Sequence, residues 1–400
     1  MLVIFYILAA LLIFLSFKSF RGGIDYLTFF KSEISKPEPD FRPFVTVIAP
    51  CRGVERGLRE NLRALIEQRF LPYEILFVVD DENDPAVAVI KDISGKAGKA
   101  ANKTRLIVAC KADGSSQKVQ NLREAVLHAD ERSEVFAFLD SDARPSRDWL
   151  QFLIAPLRDG GIGAATGYRW YISNRPTFAS ELRSVWNASV ASALGPNTKS
   201  NFCWGGSMAV RRDVFERLDI RGKWRGTLSD DFTVTRAMRA AGMPIVFVPQ
   251  ALTASLGDCG MSEMLEFTTR QMKITRVYAP QMWFISLIGS ALFITVMIWS
   301  IGILVWGSQN DFAVPAAATL ALVTSFSAGK AWLRLKAARL VLANHESDLK
   351  RQVWTQNTLW LLTPLVFLYN AIVALFSRRL RWRGITYELK SPTETVIIAD

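Results

Sequence analysis

Apolar positions fall along this chain in two patterns. At both ends there are long runs without charge, at Leu2–Phe17, Trp283–Trp306, Phe312–Ala328 and Thr358–Phe376. The second and fourth are long enough to cross a hydrocarbon core of ~30 Å, while the first and third are shorter. Between Phe17 and Trp283 the apolar runs are brief and regularly interrupted by charge and turn residues. Phe44–Ala49, Tyr73–Val79, Thr104–Ala109 and Val135–Leu139 predict buried strands, and Ile162–Tyr168 a further short one. Gly57–Gln68 (with Leu58, Leu62, Leu65 and Ile66), Ala86–Ser94, Ser116–Ala129 and Trp149–Leu157 have helical spacing.

Strands and helices alternating at this spacing predict right-handed βαβ crossovers. The expected fold class is therefore α/β, a Rossmann-like, mostly parallel sheet with transmembrane helices at both ends. Acid clusters end two strands, at Asp80/Asp81 and Asp140/Asp142, and both should lie on the sheet edge where such folds bind ligands. Neither a G-x-G-x-x-G turn after the first strand nor a Walker loop is present. Binding a diphosphate would thus need a metal and basic side chains.

Three local features admit two readings each. Asp140-Ser141-Asp142, closed by Pro145, is either a polar turn or a pair of hard oxygen ligands for a divalent cation. Gly205 and Gly206 permit either a close backbone approach to a ligand or a simple bulge. In Leu228-Ser229-Asp230-Asp231-Phe232, Ser229 or Asp230 suits a helix N-cap, so the acid pair is either capping or catalytic.

The 48 basic and 37 acidic residues give a net charge of +11, concentrated partly beside the apolar runs. That placement suits anionic headgroups and topology signals, and no nucleic-acid-binding module is apparent. Lys18, Arg21, Lys31 and Lys36 after the first run place the following domain in the cytoplasm by the positive-inside rule. The same lysine and arginine also replace a signal-peptide cleavage site, so a retained anchor is expected. Four cysteines with no C-x-x-C spacing read as reduced thiols, and two histidines leave little room for histidine chemistry.

Several ordered motifs carry a family resemblance. They are PCRG, ENL (Glu60–Leu62), YEILFVVDDENDPA, KVQNL (Lys118–Leu122), FLDSDARP, the WGGSMAVRRDVF run and LSDDF. Together they resemble the membrane-anchored inverting glycosyltransferases of family two (GT-A fold). The similarity is greatest to the branch of the ceramide glucosyltransferases and the bacterial hopanoid glycosyltransferases, and it spans Val45 to about Arg276. The resemblance implies transfer of a sugar from a UDP-sugar to a membrane lipid hydroxyl. Asp81, or Asp80, would accept from the nucleobase. Arg52, Lys118, Asn121 and Asp140 would contact the donor, with Gly205 and Gly206 leaving room for sugar and phosphates. Asp142, with Asp140, would bind Mg²⁺ or Mn²⁺, and Asp231 would be the general base. Asp230, Arg270 and Lys273 would lie toward the diphosphate or the acceptor. Two departures stand out. The family's Gln/Arg-x-x-Arg-Trp is Arg270-Gln271-Met272-Lys273-Ile274 here, which loses a bidentate fork and a stacking ring. Ceramide enzymes tend to have Gly where Asp142 stands.

The expected layout is an anchor at 1–17, a linker at 18–43, a cytoplasmic GT-A domain at 44–260 and an interfacial helix at 261–282. Membrane segments at 283–376 follow, with a basic amphipathic stretch at 330–356 and a basic tail at 377–400. The expected location is a bacterial cell membrane. Rival functions are a processive polysaccharide synthase, a catalytically inactive nucleotide-sugar-binding scaffold and, more distantly, a transporter. Three full crossings after the domain would leave Arg378–Arg383 outside, against the positive-inside rule.

Overall fold

The computed structural model describes residues 2–96, 103–306 and 313–399. The chain forms two compact units. One comprises Ser32–Asn174, Ala193–Asp258 and Arg378–Asp400; the other comprises Met1–Lys31, Arg175–Ser192 and Cys259–Ser377.

The first unit is built on strands β1 (Val45–Pro50), β2 (Tyr73–Val79), β3 (Lys103–Val108), β4 (Val135–Leu139), β5 (Ala164–Thr166), β6 (Arg169–Ile172), β7 (Ser207–Arg211), β8 (Ile245–Phe247) and β9 (Thr253–Leu256). Seven of them form one sheet in the order β3-β2-β1-β4-β7-β5-β8. All its pairings are parallel except those of β7, which runs antiparallel to both β4 and β5. Strands β1, β2 and β4 are buried on both faces, which is why their sequences are continuous apolar runs rather than alternations. One core layer packs Val47, Phe77 and Ala137 against Leu62 and Trp149; the other packs Ile48, Val78 and Phe138 against Leu122, Trp224 and Val234. Where one strand over Ile162–Tyr168 is expected, the chain splits. Ala164–Thr166 stays in the main sheet, whereas Arg169–Ile172 leaves it and pairs with β9 as a separate two-stranded parallel ribbon.

The C-terminal residues are no free tail. β10 (Arg379–Trp382), β11 (Ile385–Ser391) and β12 (Glu394–Ala399) form an antiparallel sheet within this same unit. Leu380, Tyr387 and Leu389 are buried beneath it. The Tyr387 hydroxyl accepts a hydrogen bond from the backbone N–H of Gln117 at 3.1 Å. A Cβ on Gly226, whose φ is +77°, would fall 2.2 Å from the Thr393 carbonyl oxygen, so only glycine lets the turn of this sheet seat there.

The second unit is helical. Among the described residues, three segments are long and apolar enough to cross a membrane: Val3–Ile34, Pro280–Trp306 and Val353–Phe376. The helix Leu2–Ile34 runs on through the basic residues placed in a linker, so the anchor does not end at residue 17. Helix Ala313–Val341 packs along it, with Phe326 5.5 Å from Phe17 and Lys330 donating to Ser19 at 2.9 Å. Phe312, the first residue of the third apolar run, lies outside the described residues. The helix Phe178–Ala191, expected inside the catalytic domain, belongs here. Its Ser184 accepts from Gln356 at 3.0 Å and its Glu181 from Thr355 at 2.5 Å. These bonds satisfy polar groups of the third apolar segment inside protein rather than lipid.

Candidate active site

The four parallel strands deliver Arg52, Asp80, Lys111 and Asp140 to one edge of the sheet, each just past the end of β1, β2, β3 and β4. The reversed strand β7 completes this edge. Its register pairs Leu139 with Ser207, which brings Trp204, Gly205 and Gly206 beside Asp140–Asp142. The turn at Asp140 is held from below: the Asn61 side chain donates to the Ser141 carbonyl at 3.0 Å and accepts from Arg144 at 3.0 Å. This gives the Asn of the ENL motif a mechanical role.

Around that turn lies a dense charge cluster. Lys118 bridges Asp140 at 2.7 Å and Asp230 at 3.1 Å. Arg169, almost fully buried, bridges Asp140 at 3.0 Å and Asp142 at 2.8 Å. Its guanidinium stacks 4.4 Å from the Trp204 ring and donates to the Tyr171 hydroxyl at 2.9 Å. Arg383, from the turn between β10 and β11, pairs with Glu55 at 2.6 Å. Burial opposes the charge on Lys118 and Arg169, but the surrounding carboxylates outweigh it and hold both cations well above their ordinary pKa values. Asp142 is pushed up by burial and down by Arg169 and Arg383, and the cations win. For Asp230 burial wins over Lys118, and Asp231 and Asp140 add to it, so its carboxyl is pushed up to about 6.

Asp231 stands on the first turn of the helix Asp230–Ala240, which Ser229 caps by accepting from the Phe232 N–H. One Asp231 oxygen accepts from the Ser229 hydroxyl and from Phe232 N–H at 2.7 Å; the other accepts from Gly205 N–H at 3.2 Å. Capping and presentation are therefore compatible, because Ser229 does the capping and the acids are left to face Lys118 and Gly205. The paired glycines make room for the site's own side chains. A Cβ on Gly205 would lie 2.1 Å from an Asp230 oxygen, and one on Gly206 2.1 Å from the Trp204 ring.

The other acid-ended strand differs. Asp80 is buried and accepts from both Arg52 and Lys111 at 2.9 Å. Asp81 is exposed, and the Asn83 backbone N–H bonded to it holds its carboxyl below the ordinary value. Asn121 is buried, with its side-chain oxygen accepting from Gln117 at 2.9 Å. Arg270 and Lys273 belong to the helical unit. There Arg270 lies 5.6 Å from the Phe267 ring centre and Lys273 donates to Ser377 at 3.5 Å.

The family model of glycosyl transferase family 21 matches residues 5–395. The chain belongs to glycosyl transferase family 21. This family-21 chain is accordingly a glycosyltransferase, where its motifs pointed to family two, and its central sheet is the mostly parallel one expected. Among solved structures it is similar to a mannosyltransferase from Pyrobaculum calidifontis in complex with GDP-Man and Mn²⁺. Identity is 18%, covering 92% of this chain and 99% of that one, with a TM-score of 0.47. It is also similar to glucosyl-3-phosphoglycerate synthase from Mycobacterium tuberculosis in complex with Mn²⁺ and UDP-Glc, at 12% identity, 62% and 80% coverage and a TM-score of 0.34.

Motif reading did not pick out Arg169, Tyr171, Glu55 or Arg383. A signal existed for Arg169, an arginine opening the aromatic strand RWYI, because a buried guanidinium demands carboxylate partners. None existed for Glu55 or Arg383, which meet across 328 residues only in the folded chain.

Proposed function

We propose that the chain transfers a sugar from a UDP-sugar to the hydroxyl of a membrane lipid, in one inverting displacement at the cytoplasmic face. The observation that carries this reading is the clustering of Asp140, Asp142, Lys118, Asp230 and Asp231 at one sheet edge, in a chain that also has membrane-length helices.

The acceptor hydroxyl approaches Asp231, which takes its proton as the oxygen attacks the anomeric carbon. The bond to the diphosphate breaks on the opposite side, and the departing oxygen carries away the electron pair. Gly205 N–H and Ser229 orient the Asp231 carboxylate for that transfer. Lys118, fixed between Asp140 and Asp230, places a permanent positive charge beside the departing phosphates. Asp80 with Arg52 and Lys111, and Asp81 beside them, form the side of the edge assigned to the nucleoside.

The described residues form no cluster of three or more metal ligands, and the support for a divalent cation is for one held by one or two carboxylates. Among the described residues, Glu55, Asp140, Asp142, Asp230 and Asp231 meet three cations, Lys118, Arg169 and Arg383, so this cluster carries two formal charges more negative than positive. One Asp142 oxygen is buried without a hydrogen-bond partner, whereas both Asp140 oxygens are engaged by Lys118 and Arg169. Asp142 would hold the metal, with Asp140 joining it only if one of its cations yields. Held there, such an ion would supply positive charge for a diphosphate.

Connectivity supports one arrangement of the membrane segments. The chain leaves the sheet-bearing unit at Asp258 and rejoins it at Arg378, which supports an even number of crossings by the segments between them. With helix Ala313–Val341 running alongside the N-terminal helix, the pair Pro280–Trp306 and Ala313–Val341 satisfies this, and Val353–Phe376 makes no net crossing. The basic residues at 378–383 then lie on the domain's side, as the positive-inside rule asks.

The test is to incubate membranes containing the protein with a panel of UDP-sugars and a lipid extract, and to identify products by mass spectrometry. A single added sugar on a lipid is expected. A ladder of products would favour a polysaccharide synthase, and UDP binding without any product would favour a scaffold.

A further inference from the structure

The small C-terminal sheet does more than cover the catalytic domain. Its β10–β11 turn carries Arg383 and Gly384, with φ of +54° and +90°. The second position suits glycine, but a left-handed arginine is unfavourable, and a small residue such as Asn or Gly would make the same turn more easily. The arginine side chain is nonetheless directed into the catalytic edge. Its Nη1 pairs with Glu55 at 2.6 Å and donates to the backbone carbonyl of Arg52 at 3.3 Å. About a third of the side chain stays exposed to solvent, unlike Arg169. The sheet behind it is firmly seated: Tyr387 binds the first turn of the helix that bears Lys118, and Thr393 closes on Gly226.

The three cations of the cluster are differently committed. Lys118 is divided between Asp140 and Asp230, and Arg169 between Asp140 and Asp142. Arg383 is held by Glu55 and one carbonyl, with a planar fork suited to phosphate oxygens. The late-motif cations Arg270 and Lys273 sit in the other unit, with Lys273 donating to Ser377. We propose that Arg383 of the C-terminal sheet is a diphosphate-binding residue of the active site, with Glu55 as the internal partner that positions it until the phosphates arrive. The inference rests on the nucleotide-sugar reading above.

The test uses the full-length protein in detergent, with UDP, uridine and inorganic pyrophosphate as probes in a competition binding assay. Arg383→Gln is expected to weaken UDP and pyrophosphate by about tenfold or more, leave uridine unchanged and be partly rescued by Arg383→Lys. Glu55→Gln should raise UDP affinity, since it removes a negative charge that competes with the phosphates for Arg383. A structural ion pair predicts the reverse pattern: both variants lose thermal stability together and affect UDP and uridine equally. That result, or unchanged UDP affinity in Arg383→Gln, overturns the assignment. If the wild type binds pyrophosphate in an Arg383-dependent way but no nucleotide, Arg383 stands and the nucleotide-sugar reading falls. If it binds neither, both fall.

Discussion

Two strands of this sheet end in acid pairs, and the structure treats them in opposite ways. After β2, Asp80 is buried under Arg52 and Lys111 while Asp81 stands in solvent, so that pair divides its charge between interior and water. After β4, Asp140 and Asp142 are both drawn into a cluster, bridged by one arginine and, at Asp140, joined through Lys118 to Asp230 far along the chain. The difference comes from the neighbours. β2 lies between two parallel strands, whose ends supply only loops. β4 borders the reversed strand β7, whose start brings Trp204 and two glycines against the acids. Only the acid pair after β4 thus meets a close-packed wall.

Substitutions can test this contrast. The largest expected effect is at Asp231. Asp231→Asn should lower the transfer rate by about 10²–10⁴ while UDP still binds, as expected for loss of a general base. Wild-type turnover in a lipid-product assay would remove Asp231 from that role. Next comes Asp142→Ala, which should abolish the dependence of UDP affinity on Mg²⁺ or Mn²⁺. Titrations with and without EDTA read this directly, and a surviving metal dependence would break the contrast between the two strand ends.

The smallest effects belong to the β2 pair, and they should separate. Asp80→Asn leaves two cations facing each other and should cost about 1–2 kcal/mol of stability, a moderate value because Arg52 and Lys111 are partly exposed. Asp81→Asn should leave the unfolding midpoint unchanged and alter discrimination between UDP and GDP. Equal behaviour of the two variants in thermal melts would mean that the division between a buried and an exposed acid does not hold in solution.

Much of the sheet was legible because strands buried on both faces must be apolar throughout. Tyr73–Val79 and Val135–Leu139 are found with the expected boundaries. The strand over Ile162–Tyr168 was drawn too long because its apolar composition continues past a departure from the sheet, and periodicity does not register a change of partner. The C-terminal residues were read as a tail because charge dominates them. Their short alternation in Ile385–Leu389 buries Ile385, Tyr387 and Leu389, a pattern too brief to outweigh the eight basic or acidic residues of 377–400.

The sequence by itself determined the α/β sheet, the membrane helices and the identity of the acids at the strand ends, since each of these depends on local composition and spacing. Only the tertiary structure decided which carboxylates share a cation. Ion pairs such as Arg169 with Asp140 and Asp142, or Arg383 with Glu55, join residues far apart in the chain, and no local pattern encodes where a crossover or a reversed strand will set them down.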